Sequence, residues 1–206
     1  MESRFDKIAK EWDSSQRRIN IAANVLAEIK KQIPLSENME VLDYGTGTGL
    51  ILLGLQAYVK NFTGMDNSEG MLNVLKEKVD SLGNKNIFLL KHNVDNEDLP
   101  LNKFDLIVIN MALHHIKDTN RFIKKAYESL KPEGYLCITD LVKEDGTFHD
   151  NADLGVHHLG FDIEDLNKIL INNNFKVKTL NQFYSIDKPR EDGVKKFPMF
   201  IAVGIK

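Results

Sequence analysis

The sequence holds a single cysteine, Cys137, in 206 residues. One thiol cannot close an internal disulfide, so the chain is expected to fold without covalent staples, in a reducing compartment such as the cytoplasm. Cys137 sits in an apolar run, which favours burial over reactivity. No apolar run approaches 18 residues, and the opening M-E-S-R-F-D-K lacks the apolar core of a signal peptide, so neither a membrane span nor a secretory leader is read. Excess charge of one sign is also lacking. Lys and Arg number 27 against 30 Asp and Glu, a formal net charge of -3, so a polyanion such as nucleic acid would be bound against the mean charge and is disfavoured. Five prolines are scattered rather than clustered, there are no internal repeats, and nothing reads as a linker. One domain over residues 1–206 is the expectation, monomeric or homodimeric. Zinc-like ligand spacing is absent as well. His149, His157 and His158 share residues 143–161 with Asp150 and Asp153, but their spacing fits no zinc pattern, and no metal is expected.

What the sequence does have is a glycine turn. Residues 41–49 read V-L-D-Y-G-T-G-T-G. Val41 and Leu42 end a buried-strand run, and Gly45, Gly47 and Gly49 alternate after it. Such a turn lets a ligand approach the backbone at the C-terminal edge of a sheet. A dinucleotide fingerprint would need a third glycine where Leu50 stands, and a phosphate-gripping loop would need a lysine that the turn does not contain. Asp43 at the strand tip would repel a pyrophosphate and attract a cation. This stretch resembles the first motif of the class I S-adenosylmethionine-dependent methyltransferases, of the small ubiquinone/menaquinone-biosynthesis type. The resemblance implies S-adenosyl-L-methionine as cofactor, with Asp43, Gly45, Thr46, Gly47 and Gly49 around it. It also implies a three-layer, Rossmann-like, doubly wound sheet of seven strands, mostly parallel with the last strand antiparallel.

The rest of the chain is read in that light. Phe5, Ile8, Ala9 and Trp12 form a short helical stripe, and Ile19, Ala22, Ala23, Leu26, Ile29 and Ile33 a longer one. Similar enzymes carry N-terminal helices that close the active site, so residues 1–33 are expected to form a lid. Arg17 and Arg18 read as helix surface or as ligands for a substrate anion. F-T-G-M-D, residues 62–66, is a second strand ending in Asp66, whose carboxylate can accept both hydroxyls of a ribose. Asn67 and Met71 follow on the cofactor side, and Ser68 is suited to cap the next helix. H-N-V-D-N-E-D-L-P resembles the family's loop after the third strand, which implies adenine contacts from Asp95, or from Asn93, with the Val94 N–H beside them. F-D-L-I-V-I followed by N-M-A-L-H-H-I resembles the motif after strand four, which implies Asn110 and His115 at the cofactor edge. Strand five ends in Asp140. Residues 143–161 read as an active-site loop, and His158, His157 and Asp140 are the candidate catalytic residues. Two further strands, Val177–Phe183 and Phe197–Ile205, are expected to flank a polar connection.

The expected function is methyl transfer to an O, N, S or C atom of a small molecule. Protein or RNA methylation, and a catalytically silent cofactor-binding protein, are the alternatives.

Overall fold

The computed structural model describes residues 3–149, 155–190 and 193–206; Asp150 and Asp153 lie outside them. Two short N-terminal elements come first, α1 (Arg4–Ile8) and a 3-10 turn (Ala9–Ser14), followed by α2 (Gln16–Gln32). Strands and helices then alternate: β1 (Glu40–Tyr44), α3 (Leu50–Leu55), β2 (Asn61–Asp66), α4 (Glu69–Leu82), β3 (Ile87–Lys91), β4 (Phe104–Asn110), α5 (Thr119–Ser129), β5 (Leu130–Leu141), α6 (Ile163–Asn172), β6 (Lys176–Arg190) and β7 (Gly193–Ile205). The seven strands lie in the order β3-β2-β1-β4-β5-β7-β6. All are parallel except β7, which runs antiparallel to both β5 and β6.

The period of two along the strands builds the three layers. Val41, Leu106 and Val108 face one side, with Ile21, Val25 and Ile29 of α2, Leu52 of α3 and Leu75 of α4. Leu42, Ile107 and Ile109 face the other, with Phe122 and Ile123 of α5 and Leu166 and Leu170 of α6. A fully buried side chain of this kind contributes about 1.5–3 kcal/mol. Cys137 is buried in the first layer, and burial pushes its thiol up to about 12, as an inert core residue requires. Among the described residues, no helix is long and apolar enough to cross a membrane.

Two expectations need correction. The inner face of α2 is Ile21, Ala22, Val25 and Ile29, while Ile19 is exposed and Leu26 half-buried. Both stripes have helical spacing; Leu26 stays at the margin of the inner face, packed so closely on α3 that a Cβ on Gly54 would lie 2.3 Å from its Cδ1. The polar connection after Phe183 is instead the end of a long hairpin, paired as far as Arg190 and Gly193. Ile186 and Phe197 are buried there, and Pro189 is tolerated because β6 is an edge strand whose outer N–H groups need no partner.

The N-terminal segment is clasped onto the sheet's C-terminal edge. Asp6 accepts from Ser68 Oγ at 2.7 Å and from Gly70 N at 2.9 Å. Burial opposes ionisation of Asp6, but its hydrogen bonds from Ser68, Gly70 and Ser3 together hold the carboxyl below the ordinary range. The approach is close enough that a Cβ on Gly70 would lie 2.6 Å from the Asp6 Cα. Asp13 accepts from Thr48 Oγ1 at 2.6 Å and pairs with Lys78.

Candidate active site

The clasp roofs a cavity of about 290 Å³ at the C-terminal ends of β1, β2 and β4, the edge at which parallel sheets place their ligands. The glycine turn forms one wall. Gly45 and Thr46 both donate to Met65 O, at 2.7 and 3.0 Å, pinning the turn to β2. Gly47 has φ +55, and a Cβ built on it meets nothing within 4 Å. A side chain there would project into the cavity, so the turn is a cradle kept open by glycine. Gly49 does not line the cavity; its missing side chain makes room for Leu75 on α4. The other twelve residues assigned above to the cofactor all do.

Their chemistry suits a nucleoside carrying cationic groups. Asp66 bridges the turn and α4: Oδ2 accepts from Gly47 N and Oδ1 from Ser68 N, both at 2.8 Å, and each oxygen keeps a lone pair for a hydroxyl donor. Ser68, not Asp66, caps α4, accepting from Met71 N. Asn93 Oδ1 accepts from Asp95 N at 3.0 Å, and the Val94 N–H donates to Tyr44 OH at 2.8 Å. Among the described residues the Asp95 carboxylate has no hydrogen-bond partner, which leaves it able to accept from an exocyclic amine. Asn110 Oδ1 accepts from Thr139 Oγ1 at 2.9 Å, and its amide donors remain for the cavity. Met111, beside it, has φ +50. A left-handed conformation for so bulky a residue is strained, and strain of this kind gathers at functional sites.

Asp43 is 3% exposed and accepts from Thr46 Oγ1 at 2.8 Å. Burial pushes its carboxyl up to about 7, with neighbouring Asp66 adding to the rise and the Thr46 hydroxyl opposing it. A carboxyl raised above its unfolded value of about 3.9 favours folding at low pH, and that contribution is lost as pH rises through about 7. A cationic ligand beside it would reverse the penalty by stabilising the ionised form.

The opposite wall holds three imidazoles. His114 is buried; its Nδ1 lies 2.8 Å from Asp140 Oδ1, and its backbone N–H donates to Oδ2 at 3.2 Å. Leu141 N donates to Oδ1 as well, so Asp140 is fully buried and satisfied without reaching the cavity. It connects to the cavity through its contact with His114. His115 Nδ1 donates to Gly155 O at 2.9 Å, and its ring meets Phe5 edge-on at 5.2 Å. His149 is adjacent to His114, ring centroids 5.1 Å apart, and its Nε2 is buried with no hydrogen-bond partner among the described residues. Burial first, then the neighbouring His114, lowers both His115 and His149 to about 4, so both are neutral at pH 7.

His157 and His158 do not line the cavity. Their N–H groups donate to His114 O at 2.9 and 3.2 Å, and His158 Nε2 donates to Ile116 O at 2.9 Å. The loop thus holds His114 through backbone contacts. The sequence assigns no role to His114: the pairing of Asn110 with Thr139, which carries Asp140 next to the turn that follows Asn110, is a register that only the folded sheet shows. Among the described residues, no group of three or more His, Cys, Asp or Glu could hold a metal ion.

The profile of a family described as a methyltransferase domain matches residues 35–174. The chain belongs to the class I S-adenosylmethionine-dependent methyltransferases. It is 38% identical over 137 residues to an uncharacterized methyltransferase of Schizosaccharomyces pombe, covering 60% of this chain and 48% of that one. A demethylmenaquinone methyltransferase of Listeria welshimeri is 31% identical over 144 residues, 66% of this chain and 60% of the relative. The chain thus spans about half the length of the curated relatives it matches. Among solved structures, an S-adenosylmethionine-dependent methyltransferase from Aquifex aeolicus superposes with a TM-score of 0.71 at 24% identity, covering 97% of each chain. That likeness is one of fold. Within this methyltransferase the matched segment contains the glycine turn, Asp66, Asn110 and the His114–Asp140 pair.

Proposed function

We propose that this methyltransferase moves a methyl group from S-adenosylmethionine to a small-molecule acceptor, with His114 as the base. The observation that carries the proposal is that the cofactor-type residues and the Asp140-backed His114 line one cavity of about 290 Å³. The roof of N-terminal residues over it, with Phe5, Trp12 and Arg18 in the lining, favours a compact acceptor over a protein segment. Bound there, the cofactor supplies an electrophilic methyl group on a sulfonium. Asp66 would hold the ribose hydroxyls, Asp95 the adenine amine, and Asp43 a cationic group. Methyl transfer depends mainly on alignment, and the rigid floor of glycine turn, Asn110 and strained Met111 provides it. Asp140 fixes the His114 tautomer by accepting from Nδ1–H, which leaves Nε2 as the proton acceptor. The resulting imidazolium would be stabilised by the buried carboxylate. His115 and His149, held neutral, do not compete with it as cations. Residues 3–33 would act as the lid, closed by Asp6 and Asp13.

Calorimetry tests the cofactor assignment. S-adenosylhomocysteine and S-adenosylmethionine should bind one per chain, and NAD at least about tenfold more weakly. Between pH 5 and 7, binding should release a proton, because Asp43 ionises beside the incoming cation. The heat should therefore shift between buffers of different ionisation enthalpy. Preferred binding of NAD, or proton uptake in that range, would contradict the assignment.

A further inference from the structure

The cavity is electrically divided. Its acids, Asp43, Asp66 and Asp95, stand at the sheet edge. The N-terminal side presents Arg4 from α1 and Arg17 and Arg18 from the first turn of α2, with no acid among the described lining residues of that side. Cations in the first turn of a helix are set against its dipole, so this placement works against folding rather than for it. Arg18 is held in position: its guanidinium lies 3.7 Å over the Trp12 ring, and Nη1 donates to Trp12 O at 3.0 Å. The nearby carboxylate of Asp13 is taken by Lys78 and Thr48. Among the described residues, the side chains of Arg4 and Arg17 make no hydrogen bond or ion pair.

We infer that Arg4, Arg17 and Arg18 receive an oxyanion of the methyl acceptor, a carboxylate or a phosphate ester. This rests on the reading of the cavity as a methyl-transfer site. Burial, then the like charges of Arg17 and Arg4, lowers the Arg18 pKa, with Asp13 opposing. Planar guanidiniums match carboxylate and phosphate geometry through paired N–H donors. The cofactor's own carboxylate could neutralise only one of the three, leaving two for the acceptor. Trp12, Phe5 and Phe148 supply apolar walls beside the cluster, and the acceptor's nucleophilic atom would lie toward His114.

Trp12 is the only tryptophan and carries one of the arginines on its ring, so its fluorescence is a local reporter. Protein saturated with S-adenosylhomocysteine is titrated with inorganic phosphate and with acetate, at ionic strength matched by chloride. Fluorescence and calorimetry are both read. One of the two anions should produce a saturable change that chloride does not, and the tighter of them identifies the group. In the exposed-site double variant Arg4→Gln, Arg17→Gln, the anion should bind roughly 10-fold or more weakly, while S-adenosylhomocysteine affinity stays within about threefold. No saturable response, or an unchanged anion affinity in the double variant, overturns the inference. So does competition between the anion and S-adenosylhomocysteine, which would give the arginines to the cofactor carboxylate. Failure to bind S-adenosylhomocysteine at all would contradict the proposed function as well; intact cofactor binding without an anion site contradicts this inference alone.

Discussion

Asp66→Ala should weaken S-adenosylhomocysteine binding by roughly 10- to 150-fold, the equivalent of losing charge-assisted hydrogen bonds worth about 1.5–3 kcal/mol. The carboxylate is proposed to serve two partners at once. It accepts from the Gly47 and Ser68 N–H groups, which fixes the cradle, and its remaining lone pairs would receive the ribose hydroxyls. Alanine removes both functions. The fold should survive, because Asp66 lies at a strand end and burial already raises its pKa, so its charge is not a source of stability. A melting temperature close to wild type, with weakened binding by calorimetry, is the expected pair of results. Asp66→Asn keeps one acceptor oxygen and should fall between the two. Wild-type affinity in the alanine variant would remove the ribose from this strand tip.

His114→Gln should lower methyl-transfer turnover by about 100-fold or more, while leaving S-adenosylhomocysteine affinity nearly unchanged. Glutamine can still hydrogen-bond Asp140 but cannot take up a proton at neutral pH. The deficit should shrink at high pH, where the acceptor sheds its own proton. That pH dependence separates a base from a residue that merely positions the acceptor, for which the Michaelis constant would rise without rescue. Asp140→Asn is the less clean variant. An amide cannot accept from His114 Nδ1–H, His114 N and Leu141 N as the carboxylate does, so part of its effect would be on stability, to be separated by a thermal melt. Unaltered turnover in His114→Gln would show that His114 is not the base.

How much of this was legible in the sequence follows from the range of the forces involved. The glycine turn, the helix cap at Ser68, and strands β1, β2 and β4 are set by residues within a few positions of each other, and they fall where periodicity and turn chemistry put them. Asp43, Asp66 and Asn110 could be placed along one cavity because strand ends in such a sheet share one edge. Features that depend on distant partners could not. Which stripe of α2 turns inward is decided by packing against the sheet, and the β6–β7 hairpin is carried through Pro189 by its edge position. The roles of His114 and His158 depend on β4–β5 register and on a loop that returns from residue 155 to cap the turn after β4. Nothing local distinguishes His114, whose ring meets Asp140, from His158, whose ring is spent on the Ile116 carbonyl. The clasp by Asp6 and Asp13 spans 62 and 35 positions in sequence and has no local signature.

The central claim is that this cavity passes a methyl group to a small molecule. It is tested most directly by incubating the protein with S-adenosylmethionine labelled in the methyl group and a pool of small metabolites fractionated by charge. The label is then followed by chromatography and mass spectrometry. The account predicts stoichiometric formation of S-adenosylhomocysteine and label appearing in a compound of the anionic fraction, both abolished or greatly slowed in His114→Gln. Label recovered only in added protein or RNA, or cofactor that binds and is never consumed with any fraction, would contradict it.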